Sequence, residues 1–248
     1  MMTAPSQLTI NAVDVATSSS DLAWEAAADA APAGTAFLVG EQTKGRGRRG
    51  AGWMSAKGGM YLSVLLRPNL PADRFFGLSF LAALAIRDEL SRHLEGVAVG
   101  LKWPNDILAG GGKLCGILVE ARGGDVVIGT GVNLLPVETD LPDARLAPVS
   151  VSGLGGEPLS PHDLAVAYGR NLLSRIDGYE SAGFGPARLE WLRYCAHIDE
   201  TVRVHTGEHP VSGRFVDLDD DGAMVLDDGA GGHTRVTTGG VELLGRVS

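Results

Sequence analysis

The sequence has few cysteines, few basic residues and no long apolar run. Two cysteines, Cys115 and Cys195, are too few for the disulfide framework of a small secreted protein, so we expect two reduced thiols. No stretch reaches the roughly 18 apolar residues of a membrane span, and residues 1–15 lack the basic start and apolar run of a signal peptide. These absences predict a cytoplasmic protein with no membrane partner.

Acidic residues outnumber basic ones: 30 aspartates and glutamates and 21 lysines and arginines give a net charge of −9. A protein with a negative net charge is not attracted to nucleic acid by its overall charge, so we expect no DNA partner. Any anionic ligand must therefore be met by a local group of basic residues.

Glycine is abundant, with 35 residues among 248, which indicates many tight loops in an ordered chain. Apolar periodicity and capping residues predict helices over 20–31, 73–94, 160–176 and 186–196. Apolar runs bounded by turn residues predict strands over 36–41, 60–67, 97–103, 114–120 and 126–128. We expect Ser20 to cap the first helix and the second helix to be deeply buried.

The pattern changes after Asp199 to short strands separated by Asp/Gly turns, which is typical of a small β-barrel. These strands are predicted over 202–205, 211–217, 223–227 and 234–237. We therefore expect an α+β fold of two domains. Residues 1–198 would form a mixed sheet covered by helices, and residues 199–248 would form the barrel.

One loop concentrates the basic charge. Arg46, Arg48 and Arg49 lie among the glycines of 45–50, which let a ligand approach the backbone. No acidic residue occurs over 42–72, whereas that span holds six of the chain's basic residues. The pattern indicates an anion-binding loop, with a merely solvated basic loop as the alternative.

Three familiar phosphate-binding motifs do not explain this loop. Its glycines satisfy the spacing GxGxxG, but a dinucleotide fingerprint opens a helix, whereas a strand is predicted from Met60. A protein-kinase loop would require HRD and DFG elsewhere, and neither occurs. Gly112 and Lys113 are similar to the end of a Walker loop, but Leu114 replaces its Ser/Thr and Ile107 its first glycine.

A second polar group follows a predicted strand. Lys102, Asn105 and Asp106 flank Pro104, which ends strand pairing and directs these side chains out of the sheet. Seven residues later Lys113 begins the next apolar strand, where it is either an edge residue that prevents aggregation or a phosphate contact.

Taken in order, these motifs resemble the catalytic domain of biotin protein ligases over about residues 13–135. The family's Ser-Thr-Asn is similar to Ser18, Ser19 and Ser20, and its Gln-x-x-Gly-Arg-Gly-Arg is similar to 42–48. Trp53 stands where the family has a tryptophan after this loop. Lys-Trp-Pro-Asn-Asp occurs unchanged at 102–106, Lys-x-x-Gly-Ile-Leu-x-Glu at 113–120, and Ile-Gly-x-Gly-x-Asn at 128–133.

The resemblance implies a class II synthetase-like catalytic domain with an SH3-like C-terminal barrel. It also implies a reaction in which biotin and ATP, accompanied by Mg²⁺, form biotinyl-5′-AMP. Biotin then passes to a lysine of a biotin carboxyl carrier domain, the protein partner, in acetyl-CoA or another carboxylase. The resemblance names no metal ligands and no oligomeric state.

The same resemblance assigns site residues. Biotin contacts are expected from Ser18, Ser19, Ser20, Gln42, Arg46, Gly47, Arg48, Lys113 and Gly116. Contacts to ATP or the adenylate are expected from Arg46, Arg48, Arg49, Trp53, Lys102, Asn105 and Asn133. Lys113, Arg46, Arg48 and Asp106 are the expected catalytic residues; Asp106 would position the ligand, bind metal or orient the incoming amine. Trp53 is either such a ligand contact or an ordinary residue of the hydrophobic core.

This sequence departs from the family pattern in two respects. Ser20 replaces the family's asparagine, which puts one biotin contact in doubt because a hydroxyl lacks the two amide donors. The family's bifunctional members carry an upstream helix-turn-helix, and fewer than 20 residues precede Ser18, so we expect no repressor activity.

Two other functions remain as alternatives. Lipoate ligases and octanoyltransferases share the fold, but they use a Tyr/Phe-His pair, and no histidine occurs before His93. A nucleic-acid-binding module would use the arginine-glycine loop, which has Trp53 as its nearby stacking aromatic.

Overall fold

The computed structural model describes residues 7–55, 57–137, 146–206 and 209–244, which form two β-sheets and four α-helices. The first sheet has seven strands in the order β1-β2-β3-β7-β6-β5-β4. Their bounds are β1 Thr9–Ala16, β2 Thr35–Gln42, β3 Met60–Leu66, β4 Val99–Lys102, β5 Asp106–Ala109, β6 Gly112–Arg122 and β7 Asp125–Val132. β1 pairs with β2 in parallel and the other neighbours are antiparallel, so the sheet is mixed as predicted.

Helices α2 (Gly77–His93), α3 (Pro161–Ala182) and α4 (Gly185–Arg193) bury their apolar residues in the main core. The even-numbered residues of β3, such as Met60 and Leu62, point into this core because side chains alternate along a strand. Helix α1 (Ser19–Ala28) packs against the opposite face, where Ala23 meets Leu65 and Val127. The glycine-rich part of that face, beyond α1, holds the site described below.

The second sheet contains β8 Thr201–His205, β9 Val211–Leu218, β10 Met224–Asp227, β11 His233–Val236 and β12 Gly240–Leu243, in the order β11-β10-β9-β8-β12. All of its pairs are antiparallel. It packs against the first part of the chain, where the Trp103 indole N–H donates to Gly222 O at 3.0 Å and the Arg188 guanidinium pairs with Asp217.

Each predicted helix and strand is confirmed, most of them with shifted ends. The cap of α1 was predicted wrongly: Ser18 is the N-cap, because its Oγ accepts from the backbone N–H of Ser20 at 3.1 Å. Three strands were not predicted. β1 is an edge strand with a largely exposed face, β5 directly follows the turn at Pro104, and β12 begins at a glycine.

Both cysteines are buried unpaired thiols, as expected. Burial raises the pKa of Cys115 well above its usual value and that of Cys195 to about 11. Among the described residues, no helix combines the length and apolar character needed to cross a bilayer.

Candidate active site

A cavity of about 270 Å³ opens on the glycine-rich face of the first sheet. It is lined by most of the residues that the sequence predicted for the site, although they come from separate segments of the chain. They are Ser18, Ser19, Ser20, Gln42, Arg46, Gly47, Arg48, Trp53, Lys102, Asn105, Asp106, Lys113 and Gly116. The cavity has a neutral polar end, a glycine floor and a cationic end.

The neutral end is built where α1 begins beside the end of β2. Gln42, the last residue of β2, accepts the backbone N–H of Ser19 at 2.7 Å through Oε1. Its Nε2 donates to Ser55 Oγ at 2.6 Å, which connects this end to the loop before β3. These side chains carry no charge, so the end is suited to a neutral polar group.

The floor is formed by Gly116 of β6 and its register partner Gly131 of β7. The indole of Trp53 lies against both residues. A Cβ on Gly131 would lie 2.6 Å from Trp53 Nε1, and one on Gly116 would lie 2.8 Å from Trp53 Cζ3. Side chains larger than hydrogen would therefore displace the indole. The Nε1 group is buried and has no hydrogen-bond partner among the described residues.

At the cationic end, one carboxylate lies between two ammonium groups. Lys113 Nζ is 2.7 Å from Asp106 Oδ1, and Lys102 Nζ is 3.8 Å from Asp106 Oδ2. Lys113 pairs with Leu108 of β5, two residues beyond Asp106, so the pairing of β5 with β6 keeps the two charged side chains close. Two cations against one carboxylate leave a net positive charge facing the cavity, which favours an anionic ligand.

Two arginines of the glycine-rich loop also line the cavity. Arg46 pairs with Asp21 at 2.7 Å and with Glu120 at 3.3 Å. Arg48 reaches two parts of the chain: Nη1 is 3.4 Å from Asn105 Oδ1, and Nη2 is 3.4 Å from Thr238 Oγ1.

Two nominated residues are not among those that line the cavity. Asn133 is 4% exposed and donates through Nδ2 to Val149 O at 3.1 Å and to Lys113 O at 3.4 Å. It therefore holds the backbone that carries Lys113, rather than facing the ligand space as expected. Arg49 lies in a short 3-10 turn, and its side chain falls outside what the structure describes.

Sequence reasoning missed several wall residues: Tyr61, Leu118, Gly129, Thr130, Gly239 and Gly240. Gly129 and Thr130 belong to the Ile-Gly-x-Gly-x-Asn segment, so that motif contained their signal. Tyr61 alternates with core residues along β3, and burial raises its pKa to about 12, which keeps the phenol protonated. Gly240 begins β12 and Gly239 precedes it, and nothing in the local sequence indicates that they return to this cavity.

Comparison with known proteins assigns the chain to a family. Residues 13–134 match the Biotin/lipoate A/B protein ligase family, and residues 197–244 match the Biotin protein ligase C terminal domain. The biotin--[acetyl-CoA-carboxylase] ligase of Paracoccus denitrificans is 38% identical over 206 residues, which cover 78% of this chain and 84% of that protein.

Two solved structures extend the comparison. The biotin protein ligase of Aquifex aeolicus in complex with biotin and ATP is 22% identical, with a TM-score of 0.82 over 95% of this chain and 98% of that chain, and so shows the shared fold. The Leishmania major biotin protein ligase in complex with biotinyl-5-AMP is 25% identical, with a TM-score of 0.66 over 93% of this chain and 99% of that one. The chain therefore belongs to the biotin protein ligases of the Biotin/lipoate A/B protein ligase family.

Proposed function

We propose that this protein activates biotin with ATP and transfers the biotinyl group to a lysine of a biotin carboxyl carrier domain. The observation that carries the proposal is the polarity of the cavity, which joins a neutral hydrogen-bonding end to a cationic end. Biotin has the matching polarity, since a neutral ureido ring stands at one end of the molecule and a carboxylate at the other.

In the proposed pose, the serines and Gln42 pair with the ureido group, and the carboxylate points toward Lys113 and the arginines. A buried site of hydroxyl and amide groups discriminates strongly, because a ligand without the matching groups leaves them unpaired. The glycine floor at Gly116 and Gly131 gives the ligand close access to the backbone once Trp53 moves.

In the first step, a biotin carboxylate oxygen attacks the α-phosphorus of ATP. The bond between that phosphorus and the bridging oxygen breaks, and pyrophosphate leaves with the electron pair. Two anions must approach one another, so cations fixed beforehand at this end lower the barrier. We assign this role to Lys113, Arg46 and Arg48, which line the cavity, and Lys102 adds a further positive charge.

In the second step, the neutral amine of the acceptor lysine attacks the carbonyl carbon of the biotinyl adenylate, and AMP leaves. The amine loses a proton as the amide forms. Asp106 is the one carboxylate among the described residues that line the cavity, so we assign it to orient this amine and receive its proton.

Magnesium fits this site as an ion carried by the nucleotide. The described residues contain no group of three or more His, Cys, Asp or Glu side chains that could hold a metal. Mg²⁺ commonly binds through substrate phosphates and one or two carboxylates, and Asp106 is the carboxylate available here. Bound in that way, the ion would neutralise phosphate charge.

The acceptor is proposed from the relatives' names, which specify acetyl-CoA carboxylase. Because the proposed acceptor is a carrier domain of a metabolic carboxylase, we also propose that this protein acts in the cytoplasm.

Isotope exchange tests the proposal. Labelled pyrophosphate should enter ATP when biotin is present, and should not do so with lipoate or octanoate in its place. Exchange that requires lipoate instead would replace biotin ligation by lipoate ligation, and exchange with neither acid would refute adenylation.

A further inference from the structure

Three serine hydroxyls meet behind the neutral end of the cavity. Ser63, in the middle of β3, is 0% exposed, and its Oγ lies 2.8 Å from Ser19 Oγ and 3.0 Å from Ser20 Oγ. Its register partner Gly129 leaves room for this cluster, since a Cβ there would lie 3.0 Å from Ser20 Oγ. Ser63 is not among the residues that line the cavity, so it acts on a ligand only through the serines that do.

Gln42 fixes the direction of the first hydrogen bond in the cluster. Its Oε1 accepts the backbone N–H of Ser19 at 2.7 Å, and its Nε2 donates to Ser55 Oγ at 2.6 Å, so the orientation of the amide is defined. The same Oε1 lies 3.1 Å from Ser19 Oγ. An amide oxygen carries no proton, so the Ser19 hydroxyl is the donor in this contact.

The donor and acceptor in the two remaining serine contacts follow because each hydroxyl has one proton to donate. Ser19 has given its hydroxyl proton to Gln42, so Ser63 is the donor in the 2.8 Å contact between them. Ser63 has then used its own proton, and Ser20 is the donor at 3.0 Å. The hydroxyls form a directed chain from Ser20 through Ser63 and Ser19 to Gln42, in which each donates once.

This chain sets what the cavity presents to a ligand. A hydroxyl has one proton and two lone pairs, and Ser19 uses its proton on Gln42 and one lone pair on Ser63. Its remaining position is an acceptor. Ser18 Oγ accepts the backbone N–H of Ser20 at 3.1 Å and keeps its own proton to donate. A donor and an acceptor therefore stand side by side at the neutral end.

We propose that Ser63 is a positioning residue that determines specificity. Gln42 makes Ser19 an acceptor, and the bond from Ser63 fixes which lone pair of Ser19 Oγ stays free for an N–H of the ligand's ureido ring, beside the Ser18 donor for its C=O. The proposal rests on the proposed function, because it takes biotin as the ligand.

The test compares biotin with the two cyclic carbamates in which one ring N–H of biotin is replaced by oxygen. Calorimetry on the wild-type protein should show one carbamate binding at least about 10-fold more weakly than biotin, because its oxygen would face the Ser19 acceptor. If both carbamates bind as tightly as biotin, the acceptor assignment is overturned whatever the variants do. If biotin itself does not bind, the proposed function fails instead.

The variant Ser63→Ala then tests the positioning role. Biotin affinity should fall about 5- to 20-fold, whereas the weak carbamate should lose less than about threefold, since its contact with Ser19 is already missing. In steady-state kinetics the KM for biotin should rise with kcat and the KM for ATP unchanged. Ser63→Cys, which keeps a weak donor, should lie between the two proteins and serves if the alanine variant does not fold.

Ser150→Ala is the matched control, because Ser150 is 4% exposed and its Oγ accepts from Gly153 N at 3.1 Å away from the cavity. This variant should leave all three affinities unchanged. Equal losses for biotin and both carbamates in Ser63→Ala would show a merely structural role, and no loss at all would also overturn the proposal.

Discussion

At the scale of single residues, Lys113 shows how the surroundings of a side chain decide between two interpretations. From sequence it was either an edge residue of a strand or a phosphate contact. In the structure its side chain is 28% exposed, lies 2.7 Å from Asp106 and lines the cavity. A lysine that only prevented edge pairing would not line a cavity together with Lys102 and two arginines, so the geometry supports the phosphate contact.

Replacing Lys113 by alanine should remove most of the adenylation rate. Loss of one preorganised donor to developing charge typically costs about 100- to 1,000-fold in rate. Biotin-dependent pyrophosphate exchange should fall by that factor, while the melting temperature changes little because Asp106 retains Lys102 nearby. Lys113→Arg should recover part of the rate, since a planar guanidinium replaces a point charge.

Lys57→Ala is the matched control for charge, because Lys57 follows the same basic loop and is 79% exposed. Its exchange rate should match the wild type. A Lys113→Ala protein that retained wild-type exchange would exclude a catalytic role for this lysine and leave the fold assignment intact.

His197 should make stability depend on pH. Burial, and next the charge of Lys102, lower the pKa of His197 below 6.5 in the folded protein. As the pH falls, His197 therefore becomes protonated at a higher pH in the unfolded chain than in the folded protein. The contribution of His197 to stability is complete above about pH 6.5 and decreases as the pH falls below that value.

Urea denaturation at pH 7.5 and pH 5.5 measures this effect against His197→Gln. The wild type should lose more stability between the two pH values than the variant, which has no titrating group at this position. Equal losses would show that His197 keeps an ordinary pKa in the folded state.

The sequence predicted which residues belong to the site, but it did not predict what their side chains contact. The motifs contained the side chains of Ser18, Gln42, Lys113 and the loop arginines. The sequence did not predict a role for Ser63, because a single serine inside an apolar strand gives no sign of a function. Asn133 was matched to a motif, yet its amide is occupied by backbone carbonyls.

At the scale of elements, the loop between β2 and β3 carries most of the predicted chemistry. Contacts within the loop include a bridge between Arg46 and Gly52 and a bond from Trp53 N to Gly45 O at 2.9 Å. Glycines make such a segment costly to order, so ligand contacts have a large effect on it.

Ligand binding should close this loop. Trypsin should cut first between Lys44 and Lys57, and cleavage there should slow when biotin and ATP are added together, while cleavage elsewhere keeps its rate. Mass spectrometry of the early fragments identifies the sites. Unchanged cutting of the loop with both ligands bound would argue against closure.

Long periodic elements were predictable; among the four-residue strands, β4, β10 and β11 were predicted, whereas β5 and β12 were not. α2 and α3 repeat apolar residues over several turns, and β3 and β6 are continuous apolar runs. β5 has four residues and is a strand because β4 and β6 lie on its two sides. The predicted division at residue 198 stays a proposal, placed where the first sheet and its helices give way to β8.

At the scale of the whole molecule, the second sheet completes the site. Its segment 238–240 brings Thr238 to Arg48 and lines the cavity with two glycines. Short-range sequence patterns carry no information on this contact, which joins residues 190 positions apart. The C-terminal part of the chain is therefore expected to influence nucleotide binding.

Thr238→Val tests this influence, because valine keeps the shape of threonine and removes the hydroxyl. Arg48 should be less well placed, and the KM for ATP should rise about 3- to 10-fold, as expected for one weak hydrogen bond to a charged group. Thr234→Val, an exposed change on β11 of the same sheet, should have no effect. A KM for ATP that is equal in both variants would remove Thr238 from the site.

The central claim is that one cavity both activates biotin and delivers it to a protein lysine. The most direct test incubates this protein with biotin, ATP, Mg²⁺ and a purified biotin carboxyl carrier domain, and measures the intact mass of that domain. The account predicts a gain of one biotinyl group that requires ATP and disappears when the acceptor lysine is changed to arginine. A carrier domain of unchanged mass, under conditions where pyrophosphate exchange proceeds, would contradict it.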